Sequence, residues 1–167
     1  MRRVAVLPGS FDPITNGNMD IILRARELFD QVIILVGANG DKPPSFPPEE
    51  RVLLIEKCVS QYDNVLVDCF DGLLVDYVKK VGACAIVKGL RAMSDFEYEF
   101  QMALYNKNVY PQAETLFMTT STENLYLSSS GVKSIARYGR DVSEFVPKEI
   151  SDDVLRRLYT EKGETTR

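Results

Sequence analysis

The stretch VAVLPGSFDPITNGNMDIIL, residues 4–23, carries the signals of a strand, a loop and a helix in succession. It opens with four consecutive apolar residues, which is typical of a buried β-strand. Glycine, proline and asparagine dominate its middle, which favours a loop. From residue 19 onward the apolar residues recur at the i, i+3 and i+4 spacing of one helix face. The stretch therefore predicts a strand that turns sharply into a helix.

The same alternation of strand and helix continues along the chain. Its strands consist of unbroken apolar runs, which favours a parallel sheet covered by helices on both faces. The order predicts an α/β, doubly wound, five-stranded parallel sheet in a single domain, residues 1–167, with a frayed tail from about residue 160. The predicted strands are 3–7, 32–36, 65–70, 84–87 and 115–118, and the predicted helices are 19–29, 49–61, 73–81, 94–106, 129–138 and 151–161.

Capping residues suggest where some of these helices begin and end. Ser94, followed three positions later by Glu97, predicts a capping box at the start of the fourth helix. Gly82 predicts the end of the third helix. The first helix is expected to begin near Asn18, at an exposed position that tolerates asparagine well.

Composition excludes several classes of protein. The net charge of −4 argues against nucleic acid or an acidic membrane as a partner. The chain has no histidine, which excludes histidine triads and histidine metal sites. Its three cysteines, Cys58, Cys69 and Cys84, lie in apolar runs and are interpreted as reduced core thiols. Together with the lack of a long apolar run or a signal peptide, they predict a soluble protein of the cytoplasm.

In doubly wound folds, ligands bind beyond the carboxyl ends of the strands, near the point where the strand order reverses. Segments 8–18, 41–44, 88–95 and 119–130 are predicted to lie at that edge. They contain most of the polar and charged residues that could carry chemistry.

The first of these segments suits a phosphate group, although neither GxxxxGK[ST] nor GxGxxG is present. The turn at residues 9–13 has a hydroxyl and backbone N–H groups, and the N-terminus of the following helix points to the same space. The alternative is an ordinary loop between a strand and a helix.

Two further stretches have a similar double interpretation. In VKGLRAMSDFEYEFQ, residues 87–101, two cations follow a strand and could bind phosphates, but the charges also suit a solvated helix face. In YLSSSGVKSIAR, residues 126–137, three serines stand at a loop-to-helix junction, where serine caps are common. Lys42 alone has the character of an ordinary surface lysine.

Six blocks that follow one another along the chain together indicate a known family: PGSFDPITNG, EERV, GLLVDY, GLRAMSDFEYEFQMA, SSSGVKSIA and GRDVSEFVP. Over residues 3 to about 147 the chain resembles the bacterial phosphopantetheine adenylyltransferases of the nucleotidyltransferase superfamily. The resemblance implies a Rossmann-like nucleotidyltransferase fold and a homohexamer. It also implies transfer of the adenylyl group of ATP to 4′-phosphopantetheine, which yields dephospho-CoA and pyrophosphate in coenzyme A biosynthesis.

The implied reaction is an in-line attack by the phosphate of the acceptor on the α-phosphorus of ATP, without a covalent intermediate. Positioning and charge stabilisation would then provide the catalysis. Mg²⁺ is the implied cofactor, held by the ATP phosphates with no ligand from a side chain. The implied partners are ATP, 4′-phosphopantetheine and dephospho-CoA or CoA.

The resemblance also implies roles for individual positions. Asn18, Lys42 and Arg91 would be the catalytic residues, with Asn18 at the position of a histidine that stabilises the transition state. The implied acceptor-binding residues are Ser10, Lys42, Leu74 and Lys88, and the implied ATP-binding residues are Ser10, Phe11, Asn18, Gly89, Leu90, Arg91, Glu99, Asn124, Leu125, Tyr126, Leu127, Ser128, Ser129 and Ser130.

Four positions depart from the family pattern. The superfamily signature (T/H)xGH occurs here as TNGN, residues 15–18, so the histidine is replaced by Asn18. Lys88 replaces an arginine, Asn124 replaces an aromatic residue, and Pro47 replaces a serine at a helix cap. An asparagine amide donates a hydrogen bond but carries no positive charge, so we expect a slower chemical step.

Two explanations of Asn18 remain open from the sequence: a substitution in an otherwise active enzyme, or a natural variant that uses asparagine. Two alternative functions also remain open. The chain could be a binding module that holds ATP or CoA without turnover, or it could transfer nucleotides to another phosphorylated acceptor, such as glycerol phosphate or nicotinate mononucleotide.

Overall fold

Five parallel strands form the centre of the computed structural model, which describes residues 2–37 and 43–159. The strands are β1 (Val4–Gly9), β2 (Gln31–Gly37), β3 (Val65–Phe70), β4 (Ala85–Leu90) and β5 (Glu114–Thr119), and the helices are α1 (Asn16–Leu28), α2 (Pro48–Val59), α3 (Leu74–Val81), α4 (Met93–Val109), α5 (Ser129–Ala136) and α6 (Ser151–Leu158). The predicted five-stranded α/β architecture is confirmed. The predicted tail beyond residue 159 lies outside the described residues.

The order of the strands in the sheet is β3-β2-β1-β4-β5, with every pairing parallel. From β1 the chain builds outward through β2 to β3, then returns to the other side of β1 with β4. The strand order therefore reverses between β1 and β4, and a crevice forms beyond their carboxyl ends.

Both faces of the sheet are buried, which explains the continuous apolar runs of the central strands. Residues Ala5 and Leu7 of β1 belong to a core shared with α1, α2, α5 and α6. The alternate residues Val4 and Val6 belong to a second core that contains Tyr77 and Val78 of α3.

The capping prediction for α4 is wrong. The helix begins at Met93 with Ala92 as N-cap and has no side-chain cap, so Ser94 is already inside the first turn. By contrast, Gly82 ends α3 as predicted, with a left-handed φ of 65° that favours glycine. Pro47 is the N-cap of α2 and makes no side-chain cap bond.

The interpretation of the cysteines as core thiols holds for Cys58 but not for Cys84. Cys58 is buried, which raises the pKa of its thiol to about 12. Cys69 is partly exposed, and Cys84 is exposed because it lies just before β4, at the amino end of the sheet. Within the described residues, no helix is both long and apolar enough to cross a membrane.

Candidate active site

A cleft of about 920 Å³ opens at the carboxyl ends of β1 and β4. Its walls come from three of the predicted segments: the loop after β1, the β4–α4 junction and the segment after β5. The predicted site residues that line it are Ser10, Phe11, Asn18, Leu74, Lys88, Gly89, Arg91, Glu99, Leu127, Ser128, Ser129 and Ser130.

Other predicted residues lie elsewhere. Leu90, Asn124, Leu125 and Tyr126 do not line the cleft. The side chain of Asn124 instead donates to Oγ of Ser121 over 2.8 Å, in the turn before α5. Lys42 lies outside the described residues.

Several residues of the cleft wall were not predicted from the sequence. Leu35 and Phe70 extend it toward the ends of β2 and β3, and Ser94, Asp95 and Tyr98 come from the first turns of α4. The position of Phe70 at the end of a predicted strand was the signal that could have identified it.

Asn18 lies three residues beyond the N-cap of α1, not at an exposed helix start as expected. Thr15 is the N-cap, and the two residues form a capping box. Oδ1 of Asn18 accepts from the backbone N–H of Thr15 over 2.9 Å and from its hydroxyl over 3.0 Å. Because a backbone N–H can only donate, Oδ1 must face Thr15, which leaves the Nδ2 amide as the group available to the cleft.

Both predicted cations of the β4–α4 junction face carboxylates of α4. Nζ of Lys88 lies 3.0 Å from Oε2 of Glu99, and both side chains are 22% exposed. Nε of Arg91 lies 3.4 Å from Asp95, and its Nη1 donates to the carbonyl of Leu127 over 2.8 Å. An anionic ligand would therefore compete with Glu99 and Asp95 for these two cations.

The N-termini of α1 and α5 meet at this cleft, where their partial positive charges favour an anion. Ser128 is the N-cap of α5, and its Oγ accepts from the backbone N–H of Gly131 over 3.0 Å. The hydroxyl of Ser129 donates to the carbonyl of Pro13 over 2.7 Å and so joins α5 to the loop after β1. Two of the three serines thus have identified structural bonds.

The turn after β1 has an unusual backbone. Phe11 has a φ of 48°, in the left-handed region that a bulky residue rarely adopts. Its buried ring folds back onto Gly9, where a Cβ atom would lie only 2.8 Å from the ring. The glycine is therefore needed for the close approach of the ring.

Asp12, directly after this turn, is a buried carboxylate with three partners. It accepts from the backbone N–H groups of Ser45 and Phe46 over 3.0 and 2.9 Å, and from Nζ of Lys133 over 2.7 Å. Burial acts to raise the pKa of Asp12, but these hydrogen bonds and the charge of Lys133 outweigh it and hold the pKa below its usual value.

Comparison with known proteins identifies the family. Residues 6–135 match the family described as cytidylyltransferase-like. Relatives named phosphopantetheine adenylyltransferase include one from Alkaliphilus metalliredigens, 56% identical over 87% of this chain and 93% of the relative. Another, from Heliobacterium modesticaldum, is 54% identical over 98% of this chain and 95% of the relative. The chain belongs to the phosphopantetheine adenylyltransferase family.

Solved structures of other adenylyltransferases share the fold. A putative nicotinate-nucleotide adenylyltransferase from Vibrio parahaemolyticus has a TM-score of 0.72 and 16% identity, and covers 93% of this chain and 99% of that one. A bifunctional NMN adenylyltransferase/ADP ribose pyrophosphatase from Francisella tularensis has a TM-score of 0.73 and 16% identity over 96% of this chain and 51% of that one. At this identity the likeness concerns the fold alone.

In this member of the phosphopantetheine adenylyltransferase family, the blocks PGSFDPITNG and SSSGVKSIA contribute adjoining parts of one cleft wall. The block GLRAMSDFEYEFQMA adds Arg91, Asp95 and Glu99 to the same wall. Across the described residues there is no group of three or more acidic, cysteine or histidine side chains that could hold a metal.

Proposed function

We propose that this chain transfers the adenylyl group of ATP to the phosphate of 4′-phosphopantetheine. A phosphate oxygen of the acceptor forms a bond to the α-phosphorus of ATP, the bond from that phosphorus to the bridging oxygen breaks, and pyrophosphate leaves. The observation that carries the proposal is the meeting of two helix N-termini and two cations, Lys88 and Arg91, in one cleft of a family member.

The chain would act by orientation and charge, because the reaction needs no protein nucleophile. Arg91 and Lys88 offer positive charge to phosphate oxygens, and the helix N-termini offer backbone N–H groups. Nδ2 of Asn18 would donate to an oxygen on which charge develops. Unlike a histidine, this amide cannot take up a proton and carry positive charge.

The shape of the cleft supports an extended acceptor. Its apolar wall contains Leu35, Phe70 and Leu74 and reaches from β1 to the end of β3. A pantetheine arm, which is long and carries both methyl and amide groups, would use this wall. A compact acceptor such as glycerol phosphate would leave it without a partner.

Mg²⁺ would enter this site on the phosphates of ATP, where it would neutralise charge. The donor set of the cleft supports this assignment, since its carboxylates Asp95 and Glu99 already pair with Arg91 and Lys88. The hard oxygen ligands that Mg²⁺ prefers would then come from phosphate and water.

A homohexamer is the proposed assembly. Helix α4 has no buried residue along its length, although it contains Phe100, Leu104, Tyr105 and Val109. Large exposed apolar side chains on one helix favour association, and a second copy of this chain is the proposed occupant of this helix surface. The cytoplasm remains the proposed location.

The reaction is tested by measuring pyrophosphate release with ATP, Mg²⁺ and either 4′-phosphopantetheine, glycerol phosphate or nicotinate mononucleotide. Release only with 4′-phosphopantetheine is the expected result. Pyrophosphate release with only one of the other acceptors would mean that this acceptor, and not 4′-phosphopantetheine, is the substrate. If calorimetry shows binding of ATP and CoA but no acceptor leads to pyrophosphate release, the binding module is favoured. The neutral Asn18 is the specific observation for that alternative.

A further inference from the structure

The turn at Ser10 and Phe11 lies between two buried side chains of opposite charge. Both residues line the cleft, and Phe11 holds an unfavourable left-handed conformation. Such a conformation persists only where the surrounding structure imposes it. Arg51 contacts the residue before Phe11, and Asp12 is the residue after it.

Arg51, on α2, is only 3% exposed and binds three backbone carbonyls. Its Nη1 donates to the carbonyl of Ser10 and to that of Gly37 at the end of β2, over 3.1 Å for the latter. Its Nε donates to the carbonyl of Phe46 over 3.0 Å. One guanidinium therefore joins the end of β1, the end of β2 and the loop before α2.

Asp12, which is 6% exposed, holds the same loop from the other side of the turn. Its carboxylate accepts from the backbone N–H groups of Ser45 and Phe46, and Lys133 joins it to α5. Phe46 is thus bonded through its carbonyl to Arg51 and through its N–H to Asp12. Desolvating two charges is costly, and replacing either partner leaves buried polar groups unsatisfied.

We propose that Arg51 and Asp12 are positioning residues, which fix the Ser10–Phe11 turn from both sides so that its backbone N–H groups face the phosphates of the substrate. The inference rests on the proposed function. No described residue accepts a hydrogen bond from the backbone N–H of Ser10 or Phe11, which fits a role for both groups in binding a ligand. Neither Arg51 nor Asp12 lines the cleft, so both would act through the residues that they hold.

The experiment compares Arg51→Met, Arg51→Lys and Asp12→Asn with the matched control Arg26→Met. The control variant also removes a partly buried guanidinium. In the parent, this group of Arg26 donates to Oδ1 of Asn64 over 3.1 Å and lies over the ring of Tyr62. Asn64 directly precedes β3, so the control site is at the amino edge of the sheet, opposite the cleft. Thermal unfolding shows which variants fold, and Arg51→Lys and Asp12→Asn provide the test if Arg51→Met does not.

Three quantities are measured on the full chain: kcat with ATP and 4′-phosphopantetheine, the KM for each, and the calorimetric Kd of inorganic pyrophosphate. We expect Arg51→Met to lower kcat about 10²-fold, the scale of a misplacement of about 1 Å. Arg51→Lys should lie between it and the parent, because lysine keeps the charge but loses the planar fork. Arg26→Met should keep the parent kcat even with an equal loss of thermal stability.

The double variant Arg51→Lys with Asp12→Asn distinguishes positioning from two separate effects. If both residues act through one turn, it should lose little more kcat than the worse single variant. Variants at positions 12 and 51 that retain the parent kcat and pyrophosphate Kd, or change them only as Arg26→Met does, would overturn the inference. A fully multiplicative loss in the double variant would also overturn it.

Failure of the proposed function gives a different result. If the parent releases no pyrophosphate with any acceptor but binds inorganic pyrophosphate, the transfer reaction is wrong. The inference is then decided by whether Arg51→Lys and Asp12→Asn weaken that binding more than Arg26→Met does. If the parent binds neither ATP nor pyrophosphate, both proposals are overturned.

Discussion

The backbone N–H of Thr15 donates to Oδ1 of Asn18 over 2.9 Å, and this bond determines which end of the amide faces the cleft. A neutral imidazole at position 18 could accept the same bond through one ring nitrogen and direct the other toward the phosphates as a donor. The chain therefore retains the scaffold for a histidine at this position and has an amide donor in its place.

Restoring the signature with Asn18→His should raise kcat by up to about 10²–10³, the effect of losing one transition-state donor altogether, because asparagine keeps a donor but carries no charge. The Kd of ATP should change little, because Arg91, Lys88 and the helix N-termini remain. Steady-state kinetics and calorimetry measure the two effects. The matched control is Asn18→Asp, which keeps the acceptor for Thr15 but removes the donor, and should lower kcat below that of the parent. An unchanged kcat in Asn18→His would mean that asparagine is adequate in this site.

Local patterns predicted the fold well. The spacing of apolar residues reflects burial along each element, and turn residues indicate where an element ends. They identified the sheet, the end of α3 at Gly82 and most of the cleft. The packing around Asp12 was not predictable from local patterns, since its partner Lys133 is 121 residues away. The same limit applies to Asn18, because the sequence indicated a helix start but did not fix the partner of the side chain.

Lys88 should affect the acceptor phosphate more than ATP. Lys88→Met removes its charge and leaves the half-buried Glu99 without its cation, so we expect the KM for 4′-phosphopantetheine to rise at least about tenfold. Lys88→Arg keeps the charge and adds a fork that can bind both phosphate and Glu99, so its KM should equal or fall below that of the parent. Initial rates at saturating ATP measure both. Equal KM values in all three proteins would exclude Lys88 from acceptor binding.

The assembly prediction concerns the exposed apolar residues of α4. Leu104 and Tyr105 are 57% and 61% exposed in the single chain. Leu104→Glu would place a charge in the proposed contact between copies, so we expect dissociation into smaller species in sedimentation velocity at micromolar concentration. Lys148→Glu, which reverses an exposed charge in the turn before α6 and outside α4, is the control. A parent chain that sediments as a stable monomer would contradict the proposed assembly.

The ionisation of Asp12 should make the unfolding free energy depend on pH in the acid range. Its pKa is lower in the folded chain than the ordinary value of 3.8, so the folded state favours the ionised form. That contribution is present above the unfolded pKa and is lost as the pH falls through the lower, folded pKa. The difference in unfolding free energy between the parent and Asp12→Asn should therefore stay constant from pH 7 to about 5 and shrink below about 4. Urea unfolding across this range measures it, and a difference that grows in acid would contradict the assignment.

The approach of the Phe11 ring to Gly9 makes Gly9→Ala a test of the turn that touches no charge. The added methyl would lie 2.8 Å from the Phe11 ring, which is 7% exposed, so the ring and the turn that carries it must shift. Overpacking of this kind costs about 1–3 kcal/mol, and here it should also lower kcat because the shift moves Ser10 and Phe11 in the cleft wall.

Gly82→Ala is the control: its φ of 65° strains an alanine by about 1–2 kcal/mol, but no atom lies within 4 Å of the added methyl. Gly82 ends α3 outside the cleft wall, so this variant should lose stability and keep its kcat. If both variants lost stability and activity to the same extent, the effect of Gly9→Ala would reflect stability alone, and the turn would not be what positions the substrate.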